Sequence, residues 1–130
     1  MVSFTGEEGD GNPVTAAGLP TRPRVVAWGE VLWDLFEDGP RLGGAAANVA
    51  YHAAQLGADA ALVSRVGTDE LGARACAKLA LSGVDVSLIQ RDPGAATGTV
   101  AVTMDRGEPR YRIATEVAWD RIAGDESVLR

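Results

Sequence analysis

At 130 residues, 46% of them hydrophobic, the chain has the size of one domain and enough apolar side chains for a core. Its net charge is −6, from 18 acidic against 12 basic residues with no run of either sign, which excludes a nucleic-acid backbone as partner. No apolar stretch reaches the roughly 18 residues of a membrane span, so no membrane partner is expected.

Residues 1–23 hold Gly, Pro, Thr and acids without periodicity, and lack the basic and apolar regions of a secretory signal. They are read as a flexible extension of a cytoplasmic protein. In "RVVAWGEVLWDLF" a buried strand is expected over Val25–Trp28, apolar on both faces. Gly29 marks a bend, and a second short strand follows over residues 31–36. "EDGPR" reads as a turn. Ala45–Leu56 reads as a helix stopped by Gly57, with Val49, Ala53 and Leu56 as its apolar stripe. Asn48, His52 and Gln55 form a polar line beside that stripe.

"AALVSRVG" is the next strand. "TDELGARACAKLALSG" is a helix capped by Thr68 or Asp69 and stopped by Gly83. The lone cysteine, Cys76, falls in this helix and is assigned to the core. "VDVSLIQ" is a third strand. Strands alternating with helices predict a parallel sheet with helical crossovers. "TGTVAVTMD" and "PRYRI" then alternate around "DRGE", which predicts an antiparallel hairpin with one apolar face outside the parallel sheet. A site or a partner subunit would cover that face.

The candidate site lies in "RLGGAAANVA", Arg41–Ala50. Gly43 and Gly44 precede a helix whose first turns carry only small side chains, so a ligand could reach its free backbone N–H groups. Asn48, one turn in, offers a donor and an acceptor. Asp34 is the one acid inside an apolar run, and polyol hydroxyls would partner it. Blander readings stay open: a tight turn at the glycines, a surface Asn48, an edge-strand Asp34. No G-x-G-x-x-G, no P-loop and no nucleophile–base pair occurs. His52 lacks partners at metal-ligand spacing and reads as structural, so neither metal ligands nor catalytic residues are assigned. Arg110 and Arg112 share a strand face, solvated or set against an anionic group.

"RLGGAAANVAYHAAQLGADAALVSRVG" resembles the N-terminal signature of the pfkB (ribokinase-like) carbohydrate kinase family, with Gly43, Gly44, Asn48, Ala50, Gly57 and Gly67 in place. "GEVLWDLF", "VGTDELGARACAKLALSGVDVSLI" and "TGTVAVTMDRGEPRYRI" extend the likeness, and "EVAWDRI" is similar to fructokinase-like members. The resemblance implies an α/β fold, a three-layer α/β/α arrangement with a parallel sheet and a small antiparallel β lid. It implies phosphoryl transfer from ATP, with Mg2+, to a sugar hydroxyl. Asp34, Gly43, Gly44 and Asn48 would hold the sugar, and the lid strands at 97–113 would close over it. A homodimer through the lid strands is a further implication.

The family's "D-T-x-G-A-G-D" motif, which supplies the anion hole and the base, does not occur, and neither does its Asn-x-x-Glu magnesium segment. Ala123-Gly124-Asp125 is a decoy by context. Residues 24–130 therefore read as the N-terminal, sugar-binding and lid part of such a kinase, truncated to that half. It is expected to be inactive alone and to bind nucleotide only with the missing half. The alternative is a non-catalytic sugar-binding or dimerisation module.

Overall fold

The computed structural model describes residues 21–124; most of the expected N-terminal extension and Asp125 lie outside the described residues. Two sheets organise the chain. The first is parallel, in the order β1 (Arg24–Trp28), β4 (Asp59–Gly67), β5 (Ile89–Asp92). Helix α1 (Ala45–Gln55) packs on β1 and β4, and α2 (Glu70–Leu81) packs on β4. Leu62 and Val66 of central β4 meet Ala50, Ala75 and Leu79 of the helices in one fully enclosed core. Cys76 belongs to that core, and burial pushes its thiol pKa up.

Three expectations are corrected here. β1 is an edge strand: Ala27 faces the helices, while Val26 and Trp28 stay about half exposed, so its two faces are unequal. The buried face of α1 is Ala46, Ala47 and Ala50, whereas Val49 and Leu56 are exposed. Small side chains let the helix sit close: a Cβ added at Gly29 would lie 3.1 Å from the Ala46 methyl. The strand expected in "VDVSLIQ" begins only at Ile89. Asp85 makes a single bridge to Ala61, then its carboxylate accepts the Ser87 N–H at 2.9 Å, and this local turn ends the pairing.

The second sheet has the order β3 (Gly39–Gly43), β2 (Leu32–Phe36), β6 (Gly98–Asp105), β7 (Glu108–Ile113). β2 pairs antiparallel with β3 and parallel with β6, and β6 pairs antiparallel with β7. The β6–β7 hairpin turns through Arg106 and Gly107, both at positive φ, as a two-residue turn requires. The predicted hairpin is thus half of a four-stranded mixed sheet. β3 is an addition: "GPRLG" looked like turn and loop, yet only Glu37 and Asp38 form the turn.

A polar joint fixes the two sheets together. Asp69 caps α2 by accepting the Gly72 N–H at 2.9 Å, and it also accepts the Thr97 hydroxyl at 2.6 Å and the Thr97 N–H at 2.9 Å. The Thr97 hydroxyl oxygen in turn accepts the Gly67 N–H at 3.0 Å. Burial pushes the Asp69 pKa up, but the hydrogen bonds from Thr97 and Gly72 outweigh it and leave the pKa lowered from 3.8. Asp69 therefore contributes stability that is complete above its unfolded value and is lost as pH falls through the folded one. In urea titrations, Asp69→Asn should be less stable than the parent near pH 7, and the gap should close below about pH 4. A gap that persists unchanged in acid would contradict this.

Beyond β7, a 3-10 turn at Ala118–Arg121 docks back on the start of β6. The Ala118 N–H donates to Ala96 O at 2.8 Å, and the Trp119 indole lies where a Gly98 side chain would go, 2.6 Å from the added Cβ. This explains both Gly98 and the "AWD" stretch as one packing unit. No helix among the described residues is long and apolar enough to cross a membrane.

Candidate functional site

Alternation along the mixed sheet sorts its side chains by face. Asp34 sits across from Val100 on one side and Arg41 on the other. Its face also carries Leu32, Phe36 and Val102, which form a small cluster of their own, and, further out, the exposed Met104, Tyr111 and Ile113. The half-buried Asp34 carboxylate accepts no hydrogen bond and joins no ion pair among the described residues. Arg41, its cross-strand neighbour, bonds Asp38 at 2.8 Å and stacks 4.3 Å from the centre of the Phe36 ring instead.

Gly43 lies diagonally beside this carboxylate: a Cβ there would be 2.6 Å from an Asp34 oxygen. Gly44, the cap residue of α1, has φ 104°, and a Cβ on it would lie 2.6 Å from Glu30 O. Only glycine fits that backbone and that approach. The expectation of open N–H groups at the start of α1 is corrected in part. Glu30 takes two of them, the Ala45 N–H through its carboxylate at 3.1 Å and the Ala47 N–H through its carbonyl at 3.3 Å. Sequence reasoning missed Glu30. The available signal was a helix start with no Ser, Thr, Asp or Asn cap and no acid in its first turn.

Asn48 continues from this loop on the first turn of α1. It lines a cleft of about 240 Å³ between the helices, with Leu42, Tyr51, His52, Lys78 and Ser82. Asp34 and Gly43 are in direct proximity, and Gly44 follows them; the cleft that Asn48 lines includes none of the three, and its Leu42 alternates to the sheet face opposite Asp34. His52 is exposed and packs edge-on against Tyr51 at 5.2 Å. Arg110 and Arg112 lie on the sheet face opposite Asp34, with Ala101 and Thr103 along a shallow groove. Arg110 pairs with Asp105 at 3.1 Å in the open, an arrangement worth little energetically. These arginines do not serve the Asp34 side. Among the described residues no group of three His, Cys, Asp or Glu side chains could hold a metal ion.

Residues 29–119, which span Asp34, both glycines, Asn48 and the β6–β7 hairpin, match the model of the pfkB family carbohydrate kinases. The chain belongs to the pfkB family. Among curated pfkB-type relatives, a fructokinase of Klebsiella pneumoniae is 42% identical over 87 residues, covering 63% of this chain and 28% of its own. Among solved structures, the fructokinase of Vibrio cholerae O395 superposes with a TM-score of 0.72 at 33% identity, covering 78% of this chain and 37% of that one. A sugar kinase of Pyrococcus horikoshii, solved in complex with ATP, gives a TM-score of 0.66 at 31% identity, covering 73% and 35%. The chain thus spans under a third of the length of the Klebsiella fructokinase, and its α/β architecture is that of ribokinase-like pfkB kinases.

Proposed function

We propose that residues 24–130 form the sugar-binding and lid part of an ATP-dependent carbohydrate kinase of fructokinase type. The observation that carries this reading is the Asp34 carboxylate, without a partner among the described residues, on an apolar sheet face beside the side-chain-free Gly43. A carboxylate so placed accepts hydrogen bonds from two sugar hydroxyls. Gly43 makes room for the Asp34 carboxylate and Gly44 for the Glu30 carbonyl, and the family resemblance adds Asn48 as a further amide. The β6–β7 hairpin, whose β6 pairs with Asp34's own strand, closes over the sugar and keeps water from it.

ATP and Mg2+ supply the transferable phosphoryl group and its charge neutralisation in this family; no residue of this chain is assigned to either. No catalytic residue is assigned, and the chain by itself is expected to bind sugar without phosphorylating it. A cytoplasmic site of action accompanies this reading.

Titration calorimetry with fructose and with ribose on the folded chain tests it. A saturable heat for one of them is the expected result; a folded chain that gives none with either sugar removes the proposal. A second reading, a dimerising module, draws on the exposed Met104, Tyr111 and Ile113 of the hairpin. It expects a dimer in sedimentation that Tyr111→Glu converts to monomer, and a monomeric parent chain would end it.

A further inference from the structure

We infer that Glu30 is the positioning residue of Gly44 and the first turn of α1, holding them against the β1–β2 connection beside Asp34 through the reach of its side chain. Glu30 lies at the β1–β2 connection, four residues ahead of Asp34. Gly44 has no side chain with which to cap α1. Glu30 caps the helix in its place across fifteen residues of sequence, its carboxylate accepting the Ala45 N–H at 3.1 Å. Its carbonyl accepts the Ala47 N–H at 3.3 Å. The contact is tight: the Cβ that Gly44 lacks would lie 2.6 Å from Glu30 O and 3.0 Å from the Val31 Cα.

Among the described residues no other side-chain hydrogen bond ties the first turn of α1 to the segment that leads into β2. The β2–β3 ladder already sets Gly43 opposite Leu32, so what depends on this link is the placing of Gly44 and the start of α1. A carboxylate at a helix N-terminus also suits the partial positive charge there. The Ala45 bond, however, needs only an acceptor at the end of a side chain of glutamate length, so reach and not charge carries the role. The functional half of the inference rests on the sugar-site reading above; the structural half does not.

Two variants separate reach from charge. Glu30→Gln keeps the length and an acceptor oxygen, and Glu30→Asp keeps the charge but falls one methylene short. Amide hydrogen exchange and fructose titration are measured on the whole chain for both. Glu30→Asp should speed exchange at Ala45 and weaken fructose binding, each about fivefold, the size of losing one helix cap. Glu30→Gln should stay within about twofold of the parent in both. An unchanged Ala45 exchange rate in Glu30→Asp, or a Glu30→Gln as damaged as Glu30→Asp, overturns the inference. If the parent binds no sugar, the sugar-site reading has failed separately, and exchange at Ala45 alone decides whether Glu30 holds the start of α1.

Discussion

Asp34→Ala should cost the chain its sugar affinity, by about a hundredfold, the worth of two hydrogen bonds to a charged acceptor. The same substitution should leave the fold as stable or raise its stability by about 1 kcal/mol, because the carboxylate lies half-buried on an apolar face with no partner to lose among the described residues. The two effects have opposite signs, which makes the test discriminating. An acid kept for structure would lower the melting temperature when removed; an acid kept for a ligand would not. Calorimetry with fructose and thermal denaturation of the same samples read both. A clear loss of stability with unchanged affinity would assign Asp34 to the fold and leave the sugar without its main acceptor.

Gly67→Ala should be among the most damaging single changes in the chain. An added Cβ would lie 2.7 Å from Ala95 O, 2.8 Å from an Asp69 carboxylate oxygen and 2.9 Å from Thr97 N. All three belong to the joint between β4, α2 and β6, and none is the free end of a flexible side chain. Overpacking against such atoms costs about 3 kcal/mol, a fall in Tm of about 10 °C or more for a domain of this size. Gly57→Ala is the comparison: it has positive φ, 89°, but open space around the added Cβ, so only backbone strain of about 1 kcal/mol applies. Equal losses at the two positions would mean that crowding at the joint has been overrated.

The alternation of strand and helix, both helix stops and the β6–β7 turn were legible because their signals are local. Gly57 and Gly83 do take positive φ after α1 and α2, and Asp69 does cap α2. What escaped was set by neighbours distant in the chain. "GPRLG" becomes a strand because β2 offers it a ladder, not because Gly and Pro favour one. The alanines of α1, not Val49 and Leu56, face the core because the helix lies too close to β1 and β4 for larger side chains. Of the site, the sequence singled out Asp34, Gly43, Gly44 and Asn48, and the fold sets Asp34 against Gly43. The uncapped start of α1 signalled that some acceptor was needed, but not which one, since a cap fifteen residues upstream leaves no periodic mark.

The parallel pairing of β2 with β6 has a kinetic consequence. Three strands and two helices separate these partners in the chain. The Asp34 face therefore has only half its strand neighbours until the intervening α/β unit has formed and the Asp69–Thr97 joint has brought β6 alongside. Closing so long a loop costs entropy before its contacts repay it, which places this sheet late in folding and makes it slow relative to the helices. During synthesis, the β2–β3 hairpin would wait with an open edge while β4, α2 and β5 emerge. Variants that weaken the joint should accordingly slow refolding more than they speed unfolding.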